Sequence, residues 1–224
     1  DAIIEHDLSK SVLRFAAVTD LDQLSLVPEE KKPTWQSLFL PGTLTRTGST
    51  YDISFETPRA IRTQHNEAGR GAEFSELTLY NNRLLTFDDR TGEVMEIINN
   101  EAGTESMAVP RFIITEGDGE TPKGMKWEWA TVKNNELYMG SMGKEYTAPD
   151  GAVLNENNMW IGILNARGEL RRENWKKMYS FVRHALGATS PGYIIVEAVL
   201  WSDHLKSWVF LPRRISTTAQ YDEN

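Results

Sequence analysis

The residues best placed to do chemistry in this chain are carboxylates that recur at the heads of short, hairpin-like stretches. Glu73 opens the stretch that runs to Phe87, Glu128 the stretch to Tyr138, and Glu197 the stretch to Phe210. Each reads as strand, polar turn, strand. The spacings, 55 residues from 73 to 128 and 69 from 128 to 197, suit propeller blades with insertions better than a short solenoid repeat. Blades radiate from one axis, so equivalent positions converge on it. A ring of carboxylates gathered there is unstable unless it holds a cation.

A second set of acids lies beside arginines in glycine-flanked loops: Asp20 and Asp22 after the first strand-like run, Arg70 between Gly69 and Gly71, and Asp88-Asp89-Arg90 closing the first hairpin. One acid next to one arginine is ordinarily a surface pair. Recurrence at one end of successive hairpins is what points to a site. Hard oxygen donors without His or Cys favour calcium or magnesium over zinc. Arginines beside such a cation favour a phosphorylated substrate, because the guanidinium fork matches phosphate oxygens.

Other chemistries fail on spacing. Gly119-Glu-Thr-Pro-Lys-Gly124 is followed by Met125 and Lys126, so no P-loop is present. His6, His65, His184 and His204 have no paired-ligand spacing, no Gly-x-Ser-x-Gly elbow occurs, and the aspartates fit no EF-hand loop. Any calcium site must therefore be assembled from distant segments. There are no cysteines, which excludes thiolate nucleophiles and disulfides. A net charge of −8 argues against duplex nucleic acid or an anionic membrane as partner.

The elements that must carry these residues are mostly strands. Val12 to Val18, Tyr51 to Phe55, Leu77 to Phe87, Phe112 to Thr115, Trp127 to Tyr138, Ile161 to Leu164, Ile194 to Leu200 and Trp208 to Leu211 are short and rich in β-branched or aromatic residues. Between them stand Asn81-Asn82, Asp89-Arg-Thr-Gly92, Gly117-Asp-Gly119, Asn134-Asn135 and Ala166-Arg-Gly168, which are turn chemistry. One helix is expected over Glu173 to Leu186, where Trp175, Met178, Tyr179, Val182 and Leu186 fall at helical spacing before Gly187. The longest apolar stretch, Tyr193 to Trp201, is interrupted by Glu197 and too short to span a bilayer. A first residue of Asp1 fits a mature, secreted chain.

The same strings carry a resemblance. Gly69-Arg-Gly with Phe74-Ser75-Glu-Leu77, Asp88-Asp-Arg-Thr-Gly92, Lys126-Trp-Glu128-Trp, Gly143-Lys-Glu145, Asn155-Glu-Asn157 with Trp160, Pro191-Gly-Tyr193, Trp201-Ser-Asp203 and Phe210-Leu-Pro-Arg-Arg214 resemble the calcium-activated nucleotidases. That family includes vertebrate soluble nucleotidases and salivary apyrases of blood-feeding insects. The resemblance implies an all-β, five-bladed β-propeller with one axial Ca2+, of which residues 1–224 form a single domain covering about the first three to four blades. It implies Ser75, through its main-chain carbonyl, Glu128 and Glu197 as metal ligands, and Asp89, then Asp20, as the acids near the attacking water. Arg70, Lys144 and Arg213 would meet phosphate, Tyr146 would stack on the base, and Glu73 is left for another task such as a bond to a neighbouring loop.

Two departures stand out. Met159 occupies a place where vertebrate members carry an acid, which favours acceptance of ADP as well as ATP, although loop packing accounts for it equally well. Family members also continue about another hundred residues beyond Leu-Pro-Arg-Arg214. The expectation is thus a C-terminal fragment of the same protein, bound noncovalently, that closes the propeller. The function implied is a secreted, extracellular apyrase hydrolysing ADP and ATP and suppressing platelet aggregation. The competing reading is a non-catalytic propeller in which calcium only holds blades together around a protein or carbohydrate partner.

Overall fold

The computed structural model describes residues 11–221. They form an all-β chain with one α-helix. In order, the elements are β1 (Val12–Val18), β2 (Trp35–Thr47), β3 (Thr50–Phe55), β4 (Arg59–Thr63), β5 (Phe74–Tyr80), β6 (Arg83–Asp88), β7 (Glu93–Asn99), β8 (Ser106–Ile113), β9 (Trp129–Lys133), β10 (Glu136–Gly140), β11 (Tyr146–Thr147), β12 (Val153–Asn155), β13 (Trp160–Leu164), β14 (Leu170–Asn174), α1 (Lys176–Ala185), β15 (Tyr193–Ser202) and β16 (Ser207–Ser216). The chain divides into two compact units. One holds the described residues up to Arg90 together with Val94–Phe112, the other Thr91–Glu93 together with the residues from Ile113 on.

In the first unit β2 is the spine. It pairs with β1 along one edge, and along the other with β4 over Trp35–Phe39 and with β3 over Gly42–Thr47. Pro41 falls between those last two pairings, at the end of the β3 ladder, where it has no N–H to give and its carbonyl takes the Glu56 N–H at 2.9 Å. This is why β2 is absent from the strand-like runs read above: Pro41 and Gly42 interrupt the pattern, while the fold places Pro41 between the two pairings and Gly42 at the start of the second. The second sheet is the antiparallel meander β5-β6-β7-β8. Its first turn has Asn81 and Asn82 at φ 49° and 60°, the paired left-handed geometry of a tight two-residue hairpin. Trp35, Phe39, Ile61, Phe74, Met95 and Ile97 form the core of this unit.

The second unit repeats the device. Asn134 and Asn135, at φ 52° and 60°, turn β9 into β10, and the sheet order is β14-β13-β10-β9. The hairpin β15-β16 follows, with the Trp201 N–H donating to Thr131 Oγ1 of β9 at 3.2 Å. The expected helix starts later than its periodicity suggests. Glu173 and Asn174 belong to β14, paired with Ile161 and Trp160, so that α1 begins at Lys176. Its end is as expected: Gly187 sits at φ 68°, and the N–H groups of Gly187 and Ala188 return to the carbonyls of His184 and Arg183.

The core of the second unit is aromatic. Trp129, Tyr138, Met159, Ile161, Trp175, Tyr179, Ile194 and Val196 pack together, and Trp175 meets Trp208 edge-on at 4.8 Å. Such pairs add to the stabilisation from buried area. Among the described residues no helix is long and apolar enough to cross a membrane. Trp129 is fully buried, with its indole N–H on the Ser141 carbonyl at 3.0 Å. Trp129→Ala is therefore expected to cost about 3–5 kcal/mol, seen as a lower urea midpoint of the transition that reports this unit.

Candidate active site

The three hairpins place their acids by register. Ser75 in β5, Glu128 immediately before β9 and Glu197 in β15 each lie five residues before the last residue of the strand, Tyr80, Lys133 and Ser202. Glu73 lies two residues earlier, so the equivalence of Glu73 with Glu128 and Glu197 expected from the sequence is corrected: Ser75 is their counterpart. A bulge lies at Ser75 itself. Phe74 pairs with Asp88 and Glu76 with Phe87, leaving Ser75 outside the ladder. Glu197 is also outside it, between the Val196–Pro212 and Ala198–Leu211 pairs, and Arg213 is skipped on the facing strand. Bulges of this kind re-aim one residue out of the sheet.

In the first unit the neighbouring acids close around Arg70. Glu73 is wholly buried, and Arg70 grips it from two nitrogens, Nε to Oε1 at 2.7 Å and Nη2 to Oε2 at 2.5 Å. Nη2 also reaches Asp22 Oδ1 at 2.8 Å. Asp20 Oδ1 accepts the Asp22 N–H at 2.8 Å, and the Asp89 N–H donates to the Glu73 carbonyl at 3.0 Å. Oxygens of Asp20, Asp22 and Glu73 fall within 4.8 Å of one another. Burial pushes the Glu73 carboxyl up, to about 7; the charges of Asp89 and Asp20 add to the rise, and Arg70 opposes it. Arg70 itself is raised by its bond to Glu73. A side chain at Gly71 would put its Cβ 2.3 Å from the His65 carbonyl, so the loop can pass here only as glycine.

In the second unit each acid meets a base. Lys126 Nζ lies 2.7 Å from the buried Glu128, and Arg213 Nη1 lies 2.6 Å from Glu197 Oε1. Arg213 is raised first by its bond to Glu197, and the charge of Glu128 acts on it too. Both glutamates therefore bear on one guanidinium. Lys144 is buried, with Nζ donating to the Glu145 carbonyl at 2.9 Å and to Thr147 Oγ1 at 3.1 Å, and 4.8 Å from the Tyr221 ring centre. Tyr146 is half-buried; Lys123 donates to its hydroxyl at 3.1 Å and lies 4.5 Å from its ring centre.

The structure thus gathers Asp20, Arg70 and Asp89 around Glu73 in one unit, and Glu128, Glu197 and Arg213 in the other, with Lys144 and Tyr146 on one loop. Met159 is placed elsewhere. At 1% exposure it packs among Trp129, Trp175 and Tyr179, and its carbonyl holds the Trp175 N–H at 2.8 Å. Its side chain lies in the core, as in the packing alternative weighed above. Lys126 and Tyr221 were missed as site residues. For Lys126 a signal exists, because two residues apart on an extended chain place Lys126 and Glu128 on one side.

Residues 21–224 match the family model described as Apyrase. The chain is 42% identical over 206 residues to soluble calcium-activated nucleotidase 1 of Rattus norvegicus, covering 91% of this chain and 49% of that protein. It is 38% identical over 223 residues to the apyrase of Cimex lectularius, with 98% and 59% covered. To the apyrase of Phlebotomus duboscqi it is 35% identical over 209 residues, with 93% and 60% covered. The chain thus spans about half to three fifths of the length of these relatives.

The Arg70–Glu73 pair makes a sharp prediction. Because the folded Glu73 carboxyl titrates above its ordinary value of 4.5, its contribution to stability is full below that value and declines as pH rises through about 7. Removing Arg70 deepens the decline. Arg70→Ala is expected to destabilise by about 3 kcal/mol at pH 8, where Glu73 is ionised, and by less at pH 5. Adding Glu73→Gln should restore most of the loss at pH 8. Urea titrations of both variants at the two pH values check this.

Proposed function

The chain belongs to the apyrase family, and on that premise we propose that the protein it represents is a calcium-dependent hydrolase of nucleoside di- and triphosphates. The observation that carries the reading is the shared register of Ser75, Glu128 and Glu197, with two basic side chains directly on the glutamates. Oxygen donors of this kind suit a hard cation. Glu128 and Glu197 would hold calcium through their carboxylates, and Ser75 through its carbonyl. When bound, calcium supplies positive charge to the anhydride oxygens.

The chain's own residues do the rest. Arg213 and Lys126 stand beside the glutamates as cations for phosphate oxygens. Glu73 locks Nε and Nη2 of Arg70, which fixes the plane of the guanidinium and leaves Nη1 as the edge toward substrate. That rigidity places charge where it develops in phosphoryl transfer and avoids a reorganisation cost. Asp89, held by its backbone N–H on Glu73, is the first candidate to orient or deprotonate the attacking water, and Asp20 the second. Lys144 adds charge near the tail and Tyr146 an aromatic face for the base. Because phosphate supplies most of the recognition, base selectivity is loose.

Two four-stranded antiparallel meanders, β5-β6-β7-β8 and β9-β10-β13-β14, support a propeller, for which the resemblance implies five blades. Secretion, removal of extracellular ADP and suppression of platelet aggregation belong to the same proposal; millimolar extracellular calcium would fill even a weak site. The test is phosphate release by the full-length protein. Release from ATP and ADP, little from AMP, and none with chelator is the expected result, and activity that survives chelation would remove calcium from the scheme. Asp89→Asn is expected to lower kcat by about 10²–10⁴-fold while leaving the urea midpoint near that of the parent.

A further inference from the structure

We propose that Arg183, on the last turn of α1, is a positioning residue for the loop carrying Lys144 and Tyr146, holding it against the base of the strand that carries Glu197. This rests on the reading that loop and strand both serve the substrate. Arg183 spends its planar fork on three acceptors: Nη1 on Glu145 Oε1 at 2.8 Å, Nη2 on the Gly192 carbonyl at 2.8 Å and Nε on the Ala188 carbonyl at 3.4 Å. Glu145 stands between Lys144 and Tyr146, and its own carbonyl accepts Lys144 Nζ at 2.9 Å. One residue is thus gripped at its carboxylate by the helix and at its backbone by the lysine. The side chains of Arg183 and Glu145 are only 13% and 19% exposed, so solvent weakens this pair far less than a surface one.

The rest of the loop is pinned nearby. The Ser141 carbonyl takes the Trp129 indole at 3.0 Å, and the Met142 carbonyl takes the Val196 N–H at 3.0 Å, one residue before Glu197. Gly143, at φ 69°, lies so close to Tyr179 that a Cβ would come within 2.4 Å of its ring. Those clasps secure residues 141 to 143. Among the described residues, the clasp on the following stretch that comes from α1 is Arg183, and it ties that stretch to Gly192 at the entry to β15. A lysine offers no planar fork for three divergent acceptors. The helix inserted between β14 and β15 therefore acts as a brace for the predicted phosphate contact.

Arg183→Gln and Glu145→Gln in the full-length protein test this. Glu145→Gln keeps the helix and carbonyl contacts and removes only the charge pair, so it stands in if Arg183→Gln fails to fold. Both are expected to raise KM for ADP about tenfold with kcat within about twofold, and Arg183→Lys to lie between them and the parent. Acetic anhydride should label Lys144 about tenfold faster in both, relative to the exposed Lys177 of α1. Unchanged KM and unchanged Lys144 labelling in a folded Glu145→Gln variant would overturn the proposal, as would a fall in kcat with KM unaltered. If the parent protein releases no phosphate from ADP, the proposed function fails, and Lys144 labelling alone decides whether Arg183 braces the loop.

Discussion

A carboxylate set into a partly buried strand head loses hydration, so a fold that places one there must bring positive charge to it. This constraint orders the structure. Glu73 has Arg70, Glu128 has Lys126, and Glu197 has Arg213. Burial makes the ionised Glu73 costly, and a two-point grip from one arginine offsets that cost. The sheets supply the geometry: bulges at Ser75 and Glu197 turn these residues out of the ladder, and Arg213 leaves it on the facing strand at the adjoining irregularity.

Two kinds of support surround these charges. In the first unit it is a loop shaped by close backbone approach, with Gly71 against His65. In the second it is an aromatic core, where Trp129 and Tyr179 both reach the Ser141 carbonyl and so place the start of the lysine-bearing loop. The helix shares that core through Tyr179, beside the flanking Trp175, while presenting Arg183 to the loop. Packing and electrostatics are therefore joined in one element, which explains why an otherwise all-β chain keeps a helix at this point.

Much of the fold was legible in the sequence, and the exceptions have physical causes. The paired asparagines mark both tight hairpins because asparagine tolerates the left-handed conformation that such turns demand. The strand β2 was hidden because Pro41 breaks a propensity pattern without breaking the ladder. The helix start was placed early because Trp175 satisfies the helical period while Glu173 and Asn174 still complete β14. The site was legible as residue types and less so as register. The bulge at Ser75 is invisible in a string, and Glu73, the glutamate two residues earlier, took the place of Ser75 in the repeat. Met159 sits in a polar-looking loop sequence, Asn157-Asn158-Met159, yet its side chain turns into the core.

On the function proposed above, Glu128 and Glu197 take up one divalent cation in place of their basic partners. Anomalous diffraction from crystals of the full-length protein grown with calcium tests it most directly. The expected result is a single strong peak about 2.3–2.6 Å from carboxylate oxygens of both glutamates, with Lys126 and Arg213 moved off them. A peak bound elsewhere, with both ion pairs intact, would contradict it.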